Sequence, residues 1–289
     1  MAYSGLTQSG KAFIRKVCAG DSRTLLDGKS SAKYSKKDSL YNMDGHLPFC
    51  SPPCPVKTWY SNAQYNGKKI NTNQELGEAL IVWFNKYSKI FELDANIIAA
   101  QAYAESGYNV WAYPLTSTAS GISQFITEAV FDVIVTSKYS SQEDQKFTSA
   151  EISAITKNLS GNTKVASTFT VDKPQGKKNR ATLHQNIIDN PEIMIKGQCC
   201  YMKYIGSLCD NLASSALFGY NRGPKYSYPS YTKSIASATD SRNYQMEGIG
   251  YVYRIFNLLG NKTFDKHGYF GYDFLKLNEP FDKYLAECT

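Results

Sequence analysis

The chain has 289 residues, 42% of them hydrophobic, which is enough for a sizeable core and for either one large domain or a domain with an appendage. A net charge of +7 favours polyanionic partners, but the densest basic run, residues 177–180, is too short to predict a nucleic-acid interface, so we expect no nucleic-acid partner. Because no apolar stretch approaches the ~20 residues of a membrane-spanning helix, we also expect no transmembrane segment.

Residues 1–71 are predicted to form an irregular N-terminal extension. Their first residues lack the charged and then apolar pattern of a secretory signal, so we expect no signal peptide. Apolar residues at helical spacing predict one helix over residues 7–17, which Gly20 would end. The remainder is rich in Ser, Lys, Gly, Pro and Asn, as is typical of loops. This extension would either wrap the following domain or dock the protein onto a partner.

The seven cysteines are odd in number and scattered, so they do not indicate a disulfide framework. His46, Cys50 and Cys54 follow one another at a spacing that could form part of a zinc site, but a fourth ligand at a usual spacing is lacking. A Cys50–Cys54 disulfide is the alternative. We therefore expect neither a metal nor a cofactor.

Residues 72–289 are predicted to form a mainly α domain. Thr72 and Glu75 have the spacing of a capping box, and apolar residues at helical period follow as far as Ile90. Asp94 is predicted to cap a second helix that ends at Glu105. A third helix is expected from Ser123 past Ile134.

The stretch over about residues 137–185 is polar and irregular, which indicates an insertion or lid. Within it, residues 165–171 alternate weakly and could be a strand or an arm of a small β-hairpin. Helices are expected to resume at Pro191, which suits a first helical turn, and to recur over residues 212–220 and 246–259.

Four segments carry the candidate chemistry, and each lies at a predicted helix end or turn. They are residues 105–108 (Glu-Ser-Gly-Tyr), 118–125 (Thr-Ala-Ser-Gly-Ile-Ser-Gln-Phe), 216–224 (Ala-Leu-Phe-Gly-Tyr-Asn-Arg-Gly-Pro) and 247–252 (Glu-Gly-Ile-Gly-Tyr-Val). In this order they resemble the soluble lytic transglycosylase family, in which a Glu-Ser pair ends a helix. Three further motifs then follow in that family: Gly-Ala-x-Gly-Leu-Met-Gln, Ala-Tyr-Asn-Ala-Gly-Pro and Glu-Thr-x-x-Tyr-Val.

The resemblance covers about residues 76–260 and implies a lysozyme-like helical fold. The chain departs from the family pattern at several positions. Thr118 stands in place of Gly, Ser123 in place of Met, Arg222 in place of a small residue and Gly248 in place of Thr. None of these changes removes a carboxylate or the Tyr-Asn pair.

The resemblance implies a peptidoglycan lytic transglycosylase that cleaves the β-1,4 bond between N-acetylmuramic acid and N-acetylglucosamine. Glu105 would be its catalytic acid and then its base, giving 1,6-anhydro ends without a metal or cofactor. Burial and the partial negative charge at a helix C terminus would both raise the pKa of Glu105 above about 4.3, as a general acid requires. Glu128 and Asp132, the candidate second carboxylates, are interpreted as solvated charges.

The other predicted site residues would bind substrate. Ser106 would orient Glu105 or bond an N-acetyl group, and Gly121 would let the backbone approach the glycan. Gln124 and Asn221 would offer their amides to the sugar. Tyr220 and Tyr251 would stack on sugar or direct hydroxyls towards Glu105, and the resemblance gives Glu247 a supporting hydrogen bond.

The expected partner is peptidoglycan, so the chain must be delivered to the bacterial cell wall or periplasm. A bacteriophage source fits this requirement. The protein would be a virion-associated enzyme, with tail or virion proteins as partners, or a lysis enzyme released through a membrane hole. Two alternatives stay open: a hydrolytic lysozyme (muramidase) of the same fold, and a non-catalytic glycan-binding or structural virion protein.

Overall fold

The computed structural model describes residues 3–20, 25–26, 61–112, 119–140, 142–161, 174–224 and 242–260. These residues are mainly helical, which confirms the predicted fold class at that level. The helices are α1 (Gln8–Gly20), α2 (Asn73–Ile90), α3 (Ala95–Ser106), α4 (Thr127–Val130), α5 (Ser149–Thr156), α6 (Pro174–Asp189), α7 (Pro191–Ser207), α8 (Ala213–Arg222) and α9 (Arg242–Leu259). In the part of the chain so described, no helix is long and apolar enough to cross a membrane.

Side-chain caps start α2 and α3 where the sequence predicts them. The Glu75 amide donates to the Thr72 hydroxyl at 3.1 Å, and the Thr72 amide donates to the Glu75 carboxylate at 3.1 Å. The Asn96 amide donates to the Asp94 carboxylate at 2.8 Å. These bonds satisfy amide donors that have no partner within the first helical turn, so both predicted caps are confirmed.

A short hairpin precedes α2, in a stretch that is predicted from its composition to be a loop. Its strands β1 (Gln64–Tyr65) and β2 (Lys68–Lys69) are antiparallel, and Asn66 and Gly67 join them with φ of 52° and 74°. Asn-Gly is the preferred pair for such a two-residue turn. The hairpin arm predicted at residues 165–171 lies outside the described residues.

The stretch predicted to be polar and irregular, residues 137–185, contains α5 and most of α6. A capping box of Thr148 and Glu151 starts α5. The α6 helix buries few apolar side chains, mainly Leu183, Ile187 and Ile188 near its C-terminal end. Because its first turns lack an apolar stripe, hydrophobic periodicity did not reveal it.

The helix predicted from Ser123 begins only at Thr127. Residues 121–124 form a turn instead, and Ser120 pairs with Phe125 in an isolated β-bridge. The helix then continues as a π-helical turn over Phe131–Val135. Such turns are rare and widen the helix by one residue per turn.

The described residues form two compact units. The first comprises residues 3–13, 84–104, 199–224 and 242–260, and the second comprises the remainder. In the first unit, the side-chain oxygens of Asn85 and Asn96 accept the backbone amides of Leu6 and Thr7, each at 2.9 Å. In the second unit, Arg15 of α1 forms an ion pair with Glu78 of α2 at 2.6 Å. The described start of the N-terminal extension is therefore packed, and its docking role stays a prediction.

Candidate active site

The predicted site residues divide between the two units. Glu105, Ser106, Gly121 and Gln124 belong to the second unit, and Tyr220, Asn221, Glu247 and Tyr251 belong to the first.

Glu105 lies in the last turn of α3 and is half-buried. The backbone then reverses through Gly107 and Tyr108, with φ of 61° and 64°. Glycine accepts the left-handed region readily at a helix C terminus, whereas Tyr108 pays about 1 kcal/mol of strain there. The Tyr108 side chain is fully buried, so packing holds the strained turn in place.

Ser106 connects the first motif to the second. Its side chain is fully buried, and its hydroxyl donates to the Ile122 carbonyl at 3.0 Å. The Ser106 carbonyl, which has no partner within the helix, accepts both the backbone amide of Asn109 at 3.2 Å and its side-chain amide at 2.9 Å. Residues sixteen apart in sequence are thus held together beside Glu105.

Gln124 closes the turn that carries the second motif. Its backbone has φ of 48°, and its side-chain nitrogen donates to the carbonyls of Ala112 and Gly121, each at 2.8 Å. An amide nitrogen has two protons, so both are committed to the protein and Oε1 alone is left to meet a ligand. Gln124 is therefore first a positioning residue.

Gly121 is required by the packing of the turn. Its φ is 71°, and a Cβ added there would come within 2.4 Å of Ile187 Cγ2 in α6. Its amide donates to the Ala112 carbonyl at 2.8 Å. The missing side chain therefore lets the turn lie directly against α6, a different reason for glycine from the predicted approach of a glycan.

Two further contacts hold this turn, and neither is predicted from the sequence. The hydroxyl of Ser120 forms a short hydrogen bond with Nδ1 of His184, and both side chains are buried. Burial lowers the pKa of His184 from 6.5 to about 3, so the imidazole is neutral. The Ser123 hydroxyl donates to the Met194 carbonyl at 3.1 Å. Since His184 falls in the stretch treated as an insertion, no local signal pointed to it.

The two candidate second carboxylates engage other groups. Glu128 is exposed and interacts electrostatically with Arg180. Burial lowers the pKa of Arg180, and the negative charge of Glu128 offsets part of this shift. Asp132 lies 3.4 Å from both the Lys138 ammonium and the Tyr139 hydroxyl. These arrangements agree with the interpretation of both as surface charges.

In the first unit, Tyr220 and Asn221 end α8. Both are half-buried, and the Tyr220 ring lies 5.5 Å from the ring of Tyr201 in α7. Asn221 Oδ1 is buried and has no hydrogen-bond partner among the described residues. Tyr251, in contrast, is only 2% exposed and packs in the core, with the Arg254 guanidinium 5.8 Å from its ring centroid.

Two departures from the family pattern meet where α8 and α9 pack. A Cβ at Gly248 would lie 2.4 Å from Phe218 Cε2 and 3.0 Å from Arg222 Cγ. The buried Arg222 side chain therefore passes beside a position that has no side chain of its own. Glu247 belongs to α9, and its side chain lies outside the described part of the chain.

Comparison of the chain with protein-family models, with curated proteins and with solved structures finds no match. Among the residues that the structure describes, no cluster of His, Cys, Asp and Glu could hold a metal ion. His46, Cys50 and Cys54 lie outside them. The side chains of Cys18, Cys199, Cys200 and Cys209 are buried. Burial raises the pKa of Cys199, which makes that thiol unreactive.

Proposed function

We propose that the chain is a peptidoglycan lytic transglycosylase with a lysozyme-like fold. Glu105 would be its catalytic acid and base. The order of the four motifs suggests the family, and the mainly helical architecture is compatible with it. In this proposal the enzyme reaches the cell wall as part of a phage particle or as a lysis protein.

The observation that carries the proposal is the hydrogen bond from Ser106 to the Ile122 carbonyl. It joins the Glu-Ser motif to the Gly-Ile-Ser-Gln turn within one compact unit. Buried packing and the two Gln124 bonds hold that turn rigid, and Glu105 remains half-buried beside it. A rigid support of this kind is what a catalytic acid needs to meet one bond in a fixed geometry.

The proposed reaction requires one carboxyl group in two protonation states. Glu105 donates its proton to the glycosidic oxygen, and the bond from that oxygen to C1 of the muramoyl residue breaks. The resulting carboxylate takes the proton of the muramoyl 6-hydroxyl, whose oxygen bonds to C1. The carboxyl group is thereby regenerated, and no water is consumed.

The test is the digestion of purified peptidoglycan, followed by mass spectrometry of the products. A lytic transglycosylase gives anhydromuramoyl ends, which are lighter by one water than the reducing ends made by a muramidase. Reducing ends would establish the hydrolytic alternative. Wall binding without any product would instead favour a non-catalytic glycan-binding protein.

The role of Glu105 is tested by Glu105→Gln, with Glu128→Gln as the matched control. The first variant keeps the shape of the side chain but cannot donate its proton, so its rate should fall at least about 100-fold. Glu128 is an exposed glutamate of the same unit, so its variant should cleave the wall at the parent rate. Full activity of Glu105→Gln would exclude Glu105 as the acid.

A further inference from the structure

Three tyrosines of the first unit have rings in contact. Tyr201 and Tyr204 lie one turn apart on α7, with centroids 6.4 Å apart and ring planes only 20° from parallel. Tyr220 of α8 meets Tyr201 at 5.5 Å with a tilt of 56°. Tyr201 therefore contacts both of the other rings, and we call the set of three the tyrosine row. Neither Tyr201 nor Tyr204 belongs to the four motifs.

Burial separates these tyrosines from those that build the core. Tyr87, Tyr108 and Tyr251 are at most 4% exposed. Each member of the tyrosine row, by contrast, is only half-buried. Rings that receive a ligand must keep part of their surface accessible. Tyr65, Tyr103 and Tyr139 are half-buried as well, so the argument rests on the mutual contact of three partly accessible rings and not on the exposure of any one.

We propose that the tyrosine row is a glycan-binding subsite for sugar rings of a peptidoglycan strand. A pyranose ring presents a face of C–H groups similar in size to a phenol ring, and the phenol hydroxyls can bond sugar hydroxyls. A row of three rings can contact more than one sugar. The inference rests on the proposed function, because Tyr220 also belongs to the Tyr-Asn motif.

The chemistry of the row favours a neutral carbohydrate over an anionic polymer. Its charged neighbour on α7, Lys203, forms an ion pair with Glu92 at 2.9 Å. Affinity would therefore come from ring faces and hydroxyls, and it should depend only weakly on salt.

The probe is a set of uncharged β-1,4-linked N-acetylglucosamine oligomers, which removes any contribution of the net charge. Binding is measured by titration calorimetry on the full chain carrying Glu105→Gln, so that cleavage cannot interfere. In this background Tyr201→Ala and Tyr204→Ala should each weaken binding roughly 3- to 10-fold, as loss of an aromatic contact predicts. Tyr201→Phe and Tyr204→Phe keep the rings and should bind within about twofold of the parent.

Tyr65→Ala is the matched control. Tyr65 is a half-buried tyrosine whose ring meets Trp83 at 6.0 Å in the hairpin region of the second unit. Its loss should leave binding unchanged. Thermal unfolding of every variant identifies any that is misfolded. Where an Ala variant fails to fold, Tyr201→Leu and Tyr204→Leu supply the test, because they remove the ring but keep a large apolar side chain.

The outcomes separate this inference from the proposed function. Equal affinity of the parent and of the variants that lack the Tyr201 or Tyr204 ring would overturn the subsite, even if the wild-type chain releases anhydro products. Equal weakening by Tyr65→Ala would also overturn it. Tyrosine-dependent binding by a chain that never cleaves peptidoglycan would support the subsite and reject the enzyme.

Discussion

Substitution of Gly248 by alanine tests how α9 packs against Phe218 at the position where the family pattern has Thr. Gly248 lies within α9, where alanine normally stabilises a helix by about 1 kcal/mol relative to glycine. The structure predicts that alanine at position 248 instead destabilises the protein. The added Cβ would approach Phe218 Cε2 to 2.4 Å and Cδ2 to 2.8 Å, closer than carbon atoms can pack.

The expected magnitude follows from these two effects. Overpacking of a buried site costs about 1–3 kcal/mol, and a contact with the edge of a buried ring belongs near the upper end of that range. Subtraction of the gain in helix propensity leaves a net loss of about 1–2 kcal/mol in the free energy of unfolding.

The assay is urea unfolding followed by circular dichroism, with Gly250→Ala as the control. Gly250 lies on the same helix, is exposed and has open space where its Cβ would be, so this variant should gain about 0.5–1 kcal/mol. In a Phe218→Leu background, Gly248→Ala should cost much less, because the ring edge is gone. The reasoning is refuted if Gly248→Ala and Gly250→Ala shift stability in the same direction by similar amounts.

Two further predictions concern the turn beside Glu105. The unfolded His184 takes up a proton near pH 6.5 and the folded one only near pH 3, so stability should fall as the pH drops through this window, by roughly 2 kcal/mol at pH 5. Urea unfolding from pH 7 to 5 should show this slope in the parent and a shallower one in His184→Gln; equal slopes would contradict it. Gly121→Ala adds left-handed strain to the contact with Ile187 and should cost about 2–4 kcal/mol. Gly67→Ala has a similar φ but open space, so it should lose only the strain of about 1 kcal/mol. A loss as large as that of Gly121→Ala would show that strain rather than packing dominates.

Local chemistry made the helix starts predictable. The Thr72–Glu75 box and the Asp94 cap involve residues within three positions of each other, so their bonds form whatever the rest of the chain does. The Asn66-Gly67 turn and the Thr148–Glu151 box are equally local. They were missed because the polar composition around them was read as loop.

The candidate site was predictable only in part, because only some of its interactions join residues that are close in sequence. The sequence by itself identified Glu105 as an acid at a helix end and placed a glycine-containing turn after it. Only the tertiary structure decided what supports that turn, since Ser106 bonds Ile122 and Gly121 packs on Ile187, sixty-six positions along the chain. Contacts between distant positions depend on the shapes of both partners, which no periodicity or spacing records. The tyrosine row has the same origin, because α7 and α8 bring Tyr201 and Tyr220 together by packing.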